Sequence, residues 1–584
     1  MPNRQPHSSP KLPKSPAIPR QLQDRLLLLF CFTLAPAALI WNFSGARGSD
    51  DLSYSLIAWE IVEKGLPLPP ENSWQARLGF VVPLATVQGI LGTHEASNAL
   101  IPVISFFLLG ALLSKWVPAD GPTWLRFAPL VLLSMMPALL ALGTQAMTDL
   151  PALATTTTAF ALLIRGRRRR HWSTAGLLFG LAYLIRESSV ISVPAAVALT
   201  LLACRRRRRV APLICFGLGL ILLPSLEMIV YHQITGDHLH RLSLAETQHN
   251  DSIHSSKDLS GTEILKRIVY KRWLQTIGSE GFGTVPLWLL AVLFALGRHL
   301  GENPTGRAVL IWLVVEGAAL TLATTSLDFY NLLPLSDRFQ LPILPPLIVA
   351  ALTAITQGSH QPAQPTPVDR AALVVVAGLT FLPLYSLLRG AWESSTLQLA
   401  ILVPPLVLLG IRLLRRGLSR RWAIGLGLLP ALIHLVMSSW HAPGRDRVLE
   451  DERRVVQLLH AGALQEPLFS DVRTLRSVAF LVGDLGSFHR QRVLTDRSCG
   501  GTALLNRRVS ARQQILYGQK PPIFLAETPS SWLRIGWIPD GGALMEGDES
   551  MAIYRLPSCG PPSVEPRGAE SSTQTGSPAS RHGL

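Results

Sequence analysis

Long apolar runs separated by short, arginine-rich loops constrain this chain more than any other feature. Stretches such as 96–115, 123–142 and 308–326 match the ~30 Å hydrocarbon core of a bilayer at about 1.5 Å per helical residue. A backbone surrounded by lipid must satisfy its own hydrogen bonds, so runs of this kind fold as helices. Charged residues make up 16% of the 584, against about 25% in a soluble domain. An ordinary soluble protein, a fibrous protein and general disorder are all excluded. The expected fold class is an all-α polytopic membrane protein with a small mixed α/β domain after it.

Thirteen spans are expected, at about 25–41, 96–115, 123–142, 150–164, 172–185, 189–204, 210–231, 282–298, 308–326, 339–356, 371–389, 396–414 and 422–440. Residues 1–24, rich in Pro, Ser, Lys and Arg, form a disordered cytoplasmic arm. The run 25–41 is a first span rather than a signal peptide, since no small-residue cleavage site follows it. Asp51 to Lys64 has helical periodicity with mixed charges and is expected along the membrane surface. The run 78–92 is apolar, too short to cross and interrupted by Pro83, so it is expected to be re-entrant or interfacial. That assignment sets the parity of every later span. It places Arg167 to Arg170, Arg205 to Arg209 and loop 412–421 inside, as the positive-inside rule requires; a full span at 78–92 would put the first block outside. Asp50, Asp149, Arg186, Arg338, the loop 232–281 and the C-terminal part then lie outside. The domains are 1–24, the membrane domain 25–440, an extracytoplasmic domain 441–560 and a disordered tail 561–584.

The net charge of +16 does not point to nucleic acid, because the arginine blocks sit between apolar runs without interleaved aromatics. Cys499 and Cys559, each in a Ser-Cys-Gly triplet, are either one disulfide or two free thiols. No CxxC-type metal spacing occurs.

The charged residues at the outer ends of the spans are the candidates for chemistry. Asp50, Asp51 and Tyr54 follow the first span, and Asp149 precedes Pro151. Each acid has a plain alternative as a helix cap. Arg77, Arg186, Glu187 and Arg338 lie on the same side. Carboxylates here can activate a hydroxyl or hold a metal, and guanidinium groups match phosphate oxygens. Together they suit group transfer from a lipid-linked phosphate. The loop 232–281 carries His232, His238, His240, His249 and His254; their spacing fits a solvated loop or a lid better than a metal site. Glu227 and Glu316 are the few acids inside spans.

The chain resembles the GT-C superfamily of membrane glycosyltransferases, most closely the group of protein O-mannosyltransferases and the aminoarabinose lipid A transferase. The resemblance rests on Asp50-Asp51-Leu52-Ser53-Tyr54 with Ala58 and Gly65, on Arg77-Leu78-Gly79-Phe80 to Leu91-Gly92, and on Thr148-Asp149-Leu150-Pro151. It continues through Arg165 to Arg170, Ala175-Gly176 to Ala182, Leu184-Ile185-Arg186-Glu187 and Arg338-Phe339 with Pro342 and Pro345. It is good over 25–210 and thinner beyond. Asp51 stands where Glu is frequent, and Arg186-Glu187 replaces a Lys-containing turn.

This resemblance implies an inverting transfer of a hexose or pentose from a polyprenyl-phosphate donor to an acceptor at the outer face. Asp50 and Asp149, with Asp51 beside them, would be the acidic residues, acting directly or through a divalent metal held by Asp50 and Asp149. Arg77, Arg186 and Arg338, with Tyr54 and Glu187, would face the lipid phosphate. The acceptor is left open among a lipid, a glycan and a protein; separately, the richness in Arg, Gly and Pro points to a bacterium and so to an inner or plasma membrane. The competing readings are a flippase for lipid-linked sugars and an O-antigen ligase or polymerase-like enzyme.

Overall fold

The computed structural model describes residues 33–250 apart from 44, 47–49, 118–123, 167 and 208–209. It describes 259–357 apart from 274–280, 283–284, 297–299, 302, 325–332 and 334–336, and in the C-terminal part 449–464, 468–470, 472–482, 492–493, 502–506, 543–547 and 551–555. The chain divides into two compact units, 1–449 and 450–584. The expected spans at 371–389, 396–414 and 422–440, and both C-terminal cysteines, lie outside the described residues.

The first unit is helical. Its helices are α1 (Asp50–Lys64), α2 (Leu78–Leu91), α3 (Glu95–Ser114), α4 (Trp124–Ser134), α5 (Pro137–Thr144), α6 (Asp149–Arg165) and α7 (Arg169–Ile185). A 3-10 turn, Glu187–Ser192, leads into α8 (Val193–Arg207), followed by α9 (Ala211–Thr235), α10 (His240–Asn250) and α11 (Gly261–Lys266). Then come α12 (Val285–Leu296), α13 (Pro304–Leu322), 3-10 turns at Asp337–Phe339 and Leu341–Ile343, and α14 (Leu344–Gln357).

Among the described residues, four helical stretches are long and apolar enough to cross a membrane: Glu95–Ser114, Glu187–Arg205, Ala211–Thr235 and Pro304–Leu322. The expected span 123–142 is a broken pair, α4 and α5, bent by 77°. Pro137 supplies the reason: it opens α5 at a position where its missing N–H costs nothing. The expected spans at 150–164, 172–185 and 282–298 are helices shorter than those four. α2 is roughly 20 Å long at ~1.5 Å per residue, below the thickness of a bilayer core. His94 and Ser97 start α3 with reciprocal side-chain bonds, and Gly236, at φ 77°, closes α9.

Two contacts hold the bundle in register. α7 and α9 touch backbone to backbone at Gly176 and Gly219. A β-carbon on Gly176 would come within 2.1 Å of the Phe216 carbonyl oxygen, and one on Gly219 within 2.2 Å of that of Ser173. An aromatic column runs through the core: Trp116 beside Trp312, Trp312 stacked on Phe160 at 4.2 Å, then Phe179 and Phe216 edge to face. The hydroxyls of Thr155 and Thr158 in α6 bond back to the carbonyls of Pro151 and Ala154, so they enter apolar surroundings already satisfied.

The second unit carries α15 (Glu450–His460), α16 (Val472–Val482) and a five-stranded mixed sheet. The strands are β1 (Leu468–Ser470), β2 (Arg492–Val493), β3 (Thr502–Asn506), β4 (Ala543–Gly547) and β5 (Met551–Arg555), in the order β2-β1-β3-β5-β4. β1 runs parallel to β2 and β3, and β5 antiparallel to β3 and β4. Val455, Leu468, Leu475, Val478 and Leu504 form its core.

Candidate active site

Asp50 lies in the first turn of α1 and Asp149 in the first turn of α6. The positive end of a helix favours a carboxylate at both places. Arg338 sits in the turn Asp337–Phe339 and joins them across 288 positions of sequence. Its Nη1 donates to Asp50 Oδ2 at 2.8 Å, and its Nε lies 3.9 Å from Asp149 Oδ1. That Nε is buried and has no hydrogen-bond partner among the described residues. Asp149 is fully buried and forms an ion pair with Arg186, which caps the C-terminus of α7. The Phe339 ring lies close to both guanidinium groups, 5.0 Å from Arg186 and 5.5 Å from Arg338. Burial pushes the Asp50 carboxyl up, but Arg338 opposes it, with Arg77 and Arg186 behind, and holds it below the ordinary value of 3.8.

The other predicted residues form a second array beside the first. Arg77 grips Glu187 with Nε and Nη2, both at 3.0 Å from Oε2, and also meets the Tyr54 hydroxyl. Arg241 completes it from α10. It donates to Glu187 Oε1 at 2.9 Å, to Glu227 Oε1 at 2.9 Å and to the Tyr183 carbonyl at 2.7 Å, with its charge 4.6 Å from the Tyr183 ring. Burial disfavours the Arg241 charge, but Glu187 and Glu227 outweigh that and hold it firmly protonated. Asp51 is buried beneath this surface, and its carbonyl accepts from Ser55.

Sequence reasoning missed Arg241 and the role of Glu227. The signal available was a lone arginine at the start of a polar helix, in a loop whose histidines drew attention instead. His240 does have a structural task there, reaching the Pro70 carbonyl at 3.0 Å. His232 and His238 stack at 3.7 Å, a geometry in which their rings cannot converge on one ion. The His249 side chain and all of His254 lie outside the described residues.

A cavity of about 30 Å³, enough for one or two waters, opens at Asp149, Arg186 and Arg338, with Ser189, Ser192 and Thr156 along its wall. No group of three or more His, Cys, Asp or Glu that could hold a metal occurs among the described residues. Asp50 and Asp149 each face a guanidinium group, which would compete with a divalent ion for their oxygens.

The comparisons with known proteins agree with this architecture. A family model described as dolichyl-phosphate-mannose-protein mannosyltransferase matches residues 83–231. No curated protein matches the sequence. The crystal structure of ArnT from Cupriavidus metallidurans bound to undecaprenyl phosphate is 13% identical, covers 91% of this chain and 98% of its own, and superposes with a TM-score of 0.54. Its apo form gives 0.52 at the same identity and coverage. The archaeal oligosaccharyltransferase AglB from Archaeoglobus fulgidus is 12% identical, covers 78% of this chain and 64% of its own, and at a TM-score of 0.36 is too distant to bear on the fold. The likeness to the GT-C membrane glycosyltransferases thus holds in the family match and in the fold, and the chain is an integral membrane protein.

Proposed function

We propose that this chain moves a sugar from a polyprenyl-phosphate donor to an acceptor hydroxyl at the outer face of a bacterial inner or plasma membrane. The observation that carries the reading is the Asp50–Arg338–Asp149–Arg186 array: Asp149, Arg186 and Arg338 line one cavity, and Arg338 ties Asp50 to them. The fold supports it, since ArnT, solved with undecaprenyl phosphate, shares that fold. The thirteen-span count places the array, and the domain 441–560, outside, with the N-terminus in the cytoplasm.

The acceptor oxygen attacks the anomeric carbon from the face opposite the phosphate. The bond from that carbon to the phosphate oxygen breaks, its electron pair leaves with the polyprenyl phosphate, and configuration inverts. Asp50 orients the acceptor hydroxyl and takes its proton. Held below 3.8, it is a weak base, so the proton moves late, when the acceptor oxygen has already become acidic. The spare Nε–H of Arg338 and the Arg186 guanidinium meet the charge that grows on the phosphate. Arg77 is the less available cation, since Glu187 and Tyr54 already occupy it; together with Arg241 it frames the phosphate side. The mechanism needs no metal.

Transfer of radiolabelled sugar by the reconstituted protein tests this, using a panel of polyprenyl-phosphate hexoses and pentoses. Asp50→Asn and Asp149→Asn should each abolish most product, and chelation should leave wild-type turnover unchanged. Loss of activity on chelation would return a metal to the two acids. Sugar lipid crossing the bilayer without product would favour a flippase.

A further inference from the structure

Ser192 ends the 3-10 turn after Glu187 and lines the cavity. Its Oγ lies 2.5 Å from Glu316 Oε1, a partner 124 positions away on α13. Glu316 is 0% exposed, and its Oε2 has no hydrogen-bond partner among the described residues. Both residues belong to stretches apolar enough to lie in the membrane. Glu316 sits one helical turn below Leu320, which itself lines the cavity.

A carboxylate in this place would have lost its water for neutral neighbours only, the Ser192 hydroxyl and the nearby Trp312 indole, with no cation paired to it among the described residues. A carboxylic acid suits the place. The short distance between the two oxygens is the same whichever of them carries the shared proton. If the acid donates, the hydroxyl proton of Ser192 is released to point elsewhere. Thr156, also on the wall, spends its own proton on the Leu153 carbonyl. Around them Leu153, Ile191, Leu320 and Leu341 are apolar. Ser192 is therefore a neutral donor on the cavity wall beside these apolar residues, in a cavity with room for one hydroxyl-sized group. Arg186 and Arg338 on the same wall suit the phosphate, whereas the neutral Ser192 hydroxyl suits a sugar hydroxyl.

We propose that Ser192, held by the neutral Glu316 carboxyl, donates a hydrogen bond to a hydroxyl oxygen of the donor sugar in this cavity. Ser192 touches the sugar, and Glu316 is its positioning residue. This rests on the reading of the protein as a sugar transferase and deepens it.

Infrared difference spectroscopy of the full chain in lipid nanodiscs tests the pair without any donor. Wild type minus Glu316→Gln should show the carbonyl stretch of a protonated acid, and Ser192→Ala should shift it. A carboxylate signature in its place overturns the inference, whatever the enzyme transfers. Binding of undecaprenyl-phosphate mannose, glucose and aminoarabinose, against undecaprenyl phosphate itself, tests the sugar contact. Ser192→Ala and Glu316→Leu should lose about tenfold in affinity for the sugar lipid that wild type binds best, the scale of one neutral hydrogen bond. Glu316→Gln, whose amide still donates to Ser192, should recover most of that loss. Undecaprenyl phosphate should bind equally to wild type and variants. No loss, or equal loss with and without sugar, overturns the contact and leaves a structural pair. If wild type binds no sugar lipid better than undecaprenyl phosphate, the transferase reading fails and the sugar contact with it, while the carbonyl band still reports on the pair.

Discussion

Arg338 has two tasks at once: it fixes Asp50 and offers a buried N–H to a ligand. Arg338→Gln should therefore lower kcat by roughly 10²–10³-fold, the cost of one charge-stabilising donor. It should also move the acid limb of the pH profile. Asp50 is held below 3.8 in the folded protein, so its carboxylate persists as pH falls and is lost only below that value. Without Arg338, burial acts with less opposition and the limb shifts to higher pH; a limb that stays in place would remove Asp50 as the titrating group. Glu187→Gln leaves Arg77 and Arg241 without their shared carboxylate. A cost of about 3–5 kcal/mol is expected, read as a fall in thermal midpoint in detergent. Asp50, Asp149, Arg186 and Arg338 could be singled out in the sequence because they gather at the same ends of the apolar runs, and the fold brings them together. Arg241 and the partnership of Ser192 with Glu316 could not. Their meaning depends on partners 54 and 124 positions away, which no local pattern encodes.

The elements show the same division. The helix Asp50–Lys64 and the short Leu78–Leu91 were legible from periodicity and length. The 77° break within 123–142 was not, because hydropathy averages over it, although Pro137 marks the place. The contact of α7 with α9 depends on glycines whose role is visible only in three dimensions. Gly176→Ala should push the two helices apart and lower the thermal midpoint by several degrees, since its β-carbon meets backbone. Gly217→Ala, on the same α9 with nothing within 4 Å, should be neutral or stabilising by up to about 1 kcal/mol. Equal effects at both sites would mean that helix propensity, not the contact, governs this pair.

The whole molecule must be sided if the site is to face its donor. In a cysteine-free background, Leu239→Cys, in the outer loop, should react with a membrane-impermeant maleimide on intact right-side-out membranes. Arg169→Cys, in the arginine block, should react only after permeabilisation; both positions are exposed in the fold. The reverse pattern would invert the topology and move the site to the cytoplasm. Around that site four carboxylates, Asp50, Asp149, Glu187 and Glu227, face four guanidinium groups, Arg77, Arg186, Arg241 and Arg338. The charges cancel in pairs, so the site projects little field beyond a few ångströms. It is poorly suited to drawing anions out of bulk water. A ligand carried by its own hydrocarbon tail has no need of such attraction: it arrives by sliding sideways through the leaflet, a search in two dimensions. Encounter should then follow the density of carrier in the membrane and stay nearly flat as salt is raised.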